Sequence, residues 1–334
     1  MGRRLSARLV TLPLLAAATL IAAGCAGGEG TTTRPSTPAG SRPAPAELAW
    51  RTLPAAPTER TEVTAAAVGS EIYVVGGYLR DRTTVPTVEV FRPTDGRWRR
   101  GPELPVAVNH AMAATVDGAV HVFGGYTSNG RPSSAAFRLD HDRWRRLADL
   151  PEGRGAGTAV AAAGKVYVAG GVGSGGLARA MLVYDPEADR WSVAPGPPTP
   201  REHLGGAAAD GKVITVGGRA AGRGNLDAAE VFDPATARWS SLPPLPTPRG
   251  GLAAATANGF VVAVGGEGSA TFEHAEAFDV GTGAWRSLPP MPTPRHGLGV
   301  AAIGTVLYTL AGGPQPGLHV AATAEAIDLA PLRP

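Results

Sequence analysis

The strongest constraint on the fold is a repeat with a period near 47 residues. Six short apolar runs each end in a glycine pair: Gly76-Gly77, Gly124-Gly125, Gly170-Gly171, Gly217-Gly218, Gly265-Gly266 and Gly312-Gly313. All six tryptophans keep the same beat, at Trp50, Trp98, Trp144, Trp191, Trp239 and Trp285. A bulky residue stands seven positions before five of them: Phe91, Phe137, Tyr184, Phe232 and Phe278. Three interlocked periodicities of this length point to stacked or radially arranged units, each too small to bury a core alone.

Each unit reads as four short strands. A small-residue run comes first, such as Gly157–Gly164, and the apolar run with its glycine pair follows. The third strand carries the bulky residue. A tight turn rich in Asp, Pro, Gly and Thr leads to the fourth, which opens with the tryptophan. Short strands between turn signals at regular spacing argue for an all-β protein. The 46 glycines and 31 prolines suit so many turns, and 43% hydrophobic residues suffice to fill a core. Strands beside a propeller axis are crowded, which accounts for the alanines and glycines of the first strand. The tryptophan and the residue seven before it are expected to flank a hairpin and pack between units.

Glycine pair, aromatic and tryptophan at fixed spacing resemble the kelch repeat. The resemblance covers residues 48 to 329 and implies an all-β, six-bladed kelch-type β-propeller. The sixth unit departs from the pattern: it has Ile327 for the aromatic and ends at Pro334 without a tryptophan. Trp50-Arg51-Thr52-Leu53-Pro54 is the converse, a fourth strand with no blade before it. The N-terminal strand is therefore expected to complete blade six, pairing both open edges.

The first 24 residues read as an export signal. Arg3, Arg4 and Arg8 precede the apolar run Leu9–Ala23, which is short for a bilayer span. Ile21-Ala22-Ala23-Gly24-Cys25 resembles a bacterial lipobox, with Ala22 where that family more often has Leu. Cys25, the one cysteine, is thus the expected lipidation site, holding the chain to the cell membrane on its extracytoplasmic side. Residues 25–47 read as a lipidated cysteine and a Pro/Gly/Thr-rich tether, and 48–334 as the propeller. Cleavage removes three of 31 basic residues and none of the 28 acidic ones, leaving a formally neutral chain. Only Lys165 and Lys212 are lysines, so the basic count is nearly all arginine. A neutral body argues against nucleic acid as a partner.

In an up-and-down blade, the link into the next blade and the loop after the glycine pair share one face. The link repeats a basic residue: Arg60, Arg154, Arg201, Arg249 and Arg295, with Val108 in blade two. Glu62, Asn109, His110, Glu202, His203 and His296 follow one or two positions on. These residues are expected to ring the mouth of the central channel as its binding residues. The glycine-pair loops add Tyr78, Arg80, Asp81, Tyr126, Asn129, Arg131, Arg219, Arg223, Asn225, Glu267 and His319. Two readings of the arginines stand open: braces between backbone and carboxylates, or a ring for carboxylate or sugar ligands. His110, His203 and His296 come from alternate blades, but a wide mouth would keep three imidazoles apart, and His296 is one place out of register. No metal is therefore expected. His121, in a second strand, is expected to pack; His141, in a turn on the opposite face, to be plain surface.

The resemblance to galactose oxidase, another kelch protein, implies no copper chemistry here, because that site needs a tyrosine joined to a cysteine. Sialidase Ser-x-Asp-x-Gly-x-Thr-Trp boxes are absent, as are phosphate loops, HExxH, GxSxG and paired CxxC motifs. The expectation is a monomeric, cofactor-free, non-enzymatic module for a protein or carbohydrate ligand. The alternative is an exported kelch-type sugar mutarotase or epimerase, with Glu62, Glu202, His110 and His203 as its acids and bases.

Overall fold

The computed structural model describes residues 48–332, so the export signal, Cys25 and the tether lie outside the described residues. Six four-stranded antiparallel sheets account for nearly all the secondary structure, and the described residues contain no helix. Blade one runs Thr64–Val68, Glu71–Val75, Val88–Arg92 and Arg97–Arg100, each strand pairing with its neighbour in sequence. First strands follow one another round the axis from Thr64–Val68 through Met112–Val116, Thr158–Ala162, Gly205–Ala209 and Ala253–Ala257 to Gly299–Ile303. The last packs against the first and closes the ring. Blades three and four add a two-residue hairpin after the glycine pair, Val172–Gly173 with Gly176–Leu177 and Arg219–Ala220 with Gly224–Asn225.

Blade six takes its fourth strand from the other end of the chain. Trp50–Leu53 pairs antiparallel with Ala324–Asp328, Trp50 opposite Ile327 and Leu53 opposite Ala324. Every tryptophan then does the same job. Its indole Nε1 donates to a carbonyl at or just beyond the end of the fourth strand of the preceding blade: Trp98 to Pro54 (2.8 Å), Trp144 to Pro102 (2.7 Å), Trp191 to Ala148 (2.9 Å), Trp239 to Pro195 (2.8 Å), Trp285 to Pro243 (2.8 Å) and Trp50 to Pro289 (2.7 Å). Apolar side chains fill the spaces between neighbouring sheets, so the core is six wedges rather than one sphere.

Two details of the repeat differ from the sequence reading. Phe137 is not the partner of Trp144: Leu139 faces it, and Phe137 faces Arg146. The hairpin after the third strand of blade two is two residues shorter than in blade one, and His141 turns it at φ 57°. The seven-residue spacing of Phe137 is therefore a coincidence. In blade six the residues equivalent to the glycine pair are Ala311 and Gly312, not Gly312 and Gly313. The Arg295 Nη1 bond to the carbonyl of Ala311 matches the Arg60 Nη1 bond to that of Gly76. The first glycine needs a left-handed φ, and the next blade's backbone comes so close that a Cβ at Gly76 would lie 2.3 Å from the Val108 carbonyl oxygen. Ala311 nevertheless holds φ 56° there.

Candidate functional site

The five repeat arginines are buried, each with no side-chain exposure, and so do not line the mouth. The bracing alternative describes their geometry. Arg60 pairs with Glu89 (2.9 Å), Arg201 with Glu230 (2.6 Å), Arg295 with Glu325 (2.7 Å), and Arg249 with Glu276. Each arginine also donates to backbone carbonyls of its own blade, such as Arg60 to Gly76 (2.7 Å) and Thr87 (3.0 Å). Burial lowers these guanidinium pKa values, and the facing carboxylate opposes that shift. Blade two replaces both partners, with Val108 and Phe137 packed in one apolar cluster. Blade three keeps Arg154 but has Leu182 at the carboxylate position. The carboxylate that Arg154 meets is that of Glu152, two residues earlier in the same link, at 3.5 Å, and its Nε and Nη2 have no hydrogen-bond partner.

The residue after each arginine position makes a β-bridge to the residue after the glycine pair. These bridges are Thr61 to Tyr78, Asn109 to Tyr126, Gly155 to Val172, Glu202 to Arg219, Gly250 to Glu267 and His296 to Gly313. One residue further on, the chain turns through left-handed φ in every blade: Glu62 (53°), His110 (50°), Ala156 (55°), His203 (51°), Gly251 (70°) and Gly297 (55°). That turn swings the backbone to the axis, where it closes a hydrogen-bonded ring. The amides of His110, Ala156, His203, Gly251 and Gly297 each donate to the preceding member's carbonyl, and Val63 N closes the circuit on the Gly297 carbonyl. Three members have large polar side chains and three are Gly or Ala.

The ring narrows the mouth more than the spacing suggested. The His110 and His203 rings lie 4.8 Å apart, edge to face, at the neck between two spaces. Below is a channel of about 410 Å³ walled by the small residues of the first strands. Above is a mouth cavity of about 380 Å³, lined by Tyr78, Tyr126, Arg219, Glu267, His296 and the neck residues Glu62, His110 and His203. His296 sits one ring further out, as its register implied. Arg80, Asp81, Asn129, Arg131, Arg223 and His319 are exposed on the loops and do not line the cavity. His121 is buried and stacks at 6.1 Å on Phe123, while His141 is exposed in its turn.

The polar groups form one network. Glu62 Oε2 is 3.1 Å from His110 Nε2, and its Oε1 is 3.2 Å from His296 Nδ1. Arg219 donates to Glu202 (Nε, 2.8 Å) and to Glu267 (Nη1, 2.7 Å), which spends its charge inside the protein. His203 Nδ1 lies 2.7 Å from Glu202 Oε2. Burial alone would raise the Glu62 pKa, but the charges of the surrounding imidazoles and the His296 hydrogen bond bring it well below the usual carboxylate range. Burial pushes His110 down to about 4 against the pull of Glu62, so its ring is neutral at pH 7. Glu202, despite burial, is held down to about 2 by His203 and Arg219. Desolvation raises Tyr126 to about 12, so its hydroxyl stays protonated at pH 7. The site thus offers two ionised carboxylates, Glu62 and Glu202, a neutral imidazole on His110, two phenols and an arginine paired with Glu202 and Glu267.

Sequence reasoning named these residues but missed their convergence. The signal that could have found it is the one-residue offset: Glu62, His110 and His203 share the second position after the arginine site, whereas Asn109, Glu202 and His296 share the first.

The comparisons with known proteins agree with the fold. The KLHDC2/KLHL20/DRC7 Kelch-repeats domain matches residues 62–244, and the Kelch motif matches residues 248–292. No curated protein matches the chain. With more than half its length under one family model and its blades closed in a ring, the chain belongs to the kelch-repeat family of β-propellers.

Proposed function

We propose that this kelch propeller is a lipid-anchored, extracytoplasmic binding module that takes a carbohydrate ligand at its mouth. The observation that carries the reading is the cavity of about 380 Å³, of a size for a small ligand, with Tyr78 and Tyr126 beside a polar floor. Its charges are already paired, so it suits a neutral polyhydroxylated molecule, whose C–H faces lie well on aromatic rings and whose hydroxyls need both donors and acceptors. The anchor rests on the N-terminal sequence, from Arg3 to Cys25. Kelch propellers are typically protein-binding modules, so a ligand presented on a protein is within the same reading. Saturation-transfer NMR of a monosaccharide and amino-sugar panel tests it. Transfer to at least one sugar, lost in Tyr126→Ala, is expected; a panel that shows none sinks the carbohydrate assignment.

The contact of Glu62 with His110 at 3.1 Å favours a second reading, an exported sugar mutarotase or epimerase. A carboxylate and an imidazole side by side supply the base and acid that ring opening requires. The same spectra decide it. Accelerated anomer exchange that stops in Glu62→Gln or His110→Ala, or in Glu202→Gln or His203→Ala beside them, supports catalysis, and exchange at the uncatalysed rate leaves a binding module.

A further inference from the structure

Among the described residues, Glu62, His110 and His203 hold three ligand atoms within 4.8 Å of one another. Hydrogen bonding fixes which ring nitrogens face inward. The Asn109 side-chain amide donates through Nδ2 to the Tyr126 carbonyl (3.2 Å), which can only accept, and to Thr84 Oγ1 (2.8 Å). Its Oδ1 therefore faces His110 Nδ1 at 2.6 Å, and that nitrogen carries the proton. The lone pair of a neutral His110 is then on Nε2, directed at Glu62 Oε2. His203 is built the same way, its Nδ1–H donating to the ionised Glu202 and its Nε2 left as acceptor. In each case the residue just before the histidine in sequence supplies the acceptor. His110 Nε2 and Glu62 Oε2, 3.1 Å apart, thus face each other across a gap that a positive centre, a proton or a metal ion, fills.

From this geometry we infer that Glu62, His110 and His203 form a binding site for a divalent first-row transition metal ion. Two imidazole nitrogens and one carboxylate on one side of an ion, with the other side open, are a donor set such ions take. Two donors each about 2.1 Å from one ion lie about 3.0–3.4 Å apart, and the Glu62–His110 separation of 3.1 Å already matches. Both histidines have the outer hydrogen bond that fixes tautomer and ring orientation in metal sites. The hydrogen-bonded ring at the axis holds the three ligands rigidly, at nearly equal left-handed φ. Room for the carboxylate is made by Gly297, where a Cβ would come within 2.6 Å of Glu62 Cδ. Arg219 Nη2, 3.2 Å from His203 Nε2, is the competing donor: it has to release that nitrogen for an ion to bind, while its Nε and Nη1 stay on Glu202 and Glu267, which offset its charge. The open positions face the mouth cavity, so a loaded ion would meet incoming hydroxyl or carboxylate groups. This site does not rest on the carbohydrate reading, and the ion would displace the proton that the mutarotase reading needs.

The test uses untagged full chain in detergent, stripped with chelator and titrated with Zn²⁺ by calorimetry. One equivalent is expected to bind. His110→Ala and His203→Ala should each weaken it at least tenfold, with His141→Ala, on the opposite face, unchanged. Absence of a binding equivalent, or binding that survives the His110→Ala/His203→Ala pair, overturns the assignment. If the alanine variants fail to fold, Co²⁺-loaded wild type still decides it. Two paramagnetically shifted imidazole N–H resonances are expected, and any other number is contrary to the site.

Discussion

The buried pair Arg249–Glu276 gives the sharpest test of how the blades are braced. Both side chains are at most 3% exposed, and Glu276 also accepts from Thr247 Oγ1 at 2.8 Å. Glu276→Leu leaves a desolvated guanidinium without its counter-charge, at a cost of about 3–5 kcal/mol. Three carbonyl acceptors, on Thr247, Ala263 and Gly265, still hold Arg249, which places the loss toward about 3 kcal/mol. Arg249→Val alone strands the carboxylate and costs a similar amount. The double variant Arg249→Val/Glu276→Phe copies the apolar pair that blade two uses, Val108 with Phe137. Its stability should return to within about 1 kcal/mol of wild type, because well-packed apolar pairs substitute for buried ion pairs at little cost. Urea titrations of wild type, Arg249→Val, Glu276→Phe (which strands the guanidinium as Glu276→Leu does) and the double variant, followed by tryptophan fluorescence, complete the cycle. If the double variant is as unstable as the two single losses added together, the brace is not an interchangeable unit and the reasoning fails.

Three further outcomes are expected. Ala311→Gly should stabilise the protein by about 1 kcal/mol, since alanine is strained at left-handed φ; a lower urea midpoint would contradict the assignment of Ala311 as the first member of the pair. Deleting residues 48–54 removes a strand, the Trp50–Pro289 bond and the carbonyl that receives Trp98, and so should destabilise the body as much as loss of any internal fourth strand. A truncated protein that melts like the intact one would refute ring closure. Cys25→Ser should free the protein from membranes or leave an uncleaved precursor, and unchanged lipid labelling would disprove the anchor.

The blades were legible because a tryptophan that must reach back to the previous blade cannot leave its beat without losing both contact and hydrogen bond. The closing strand was legible for the same reason: Trp50 was one tryptophan ahead of any blade. What misled was composition at equivalent positions. Phe137 is aromatic and seven residues before Trp144, but it belongs to the brace position and not to the hairpin pair. Gly312-Gly313 looks like the sixth pair, yet the backbone register begins at Ala311. The arginines fell on the correct face, but depth along the axis is not written in residue type, and their partners sit 27–30 residues later in the chain. The neck cluster depends on a backbone turn that the sequence marks only by a shared offset, with residues from blades one, two and four.

The strand that fastens the ring has a consequence for when the molecule can become whole. Trp50 is made long before Ile327, yet they face each other in the same sheet. During synthesis the leading strand must wait, its backbone groups unsheltered, while five complete blades assemble behind it. Pairing over so great a sequence distance is slow to nucleate and leaves sheet edges exposed in the meantime. Truncated or stalled chains would thus be open crescents with two sticky ends, whereas the finished chain has none.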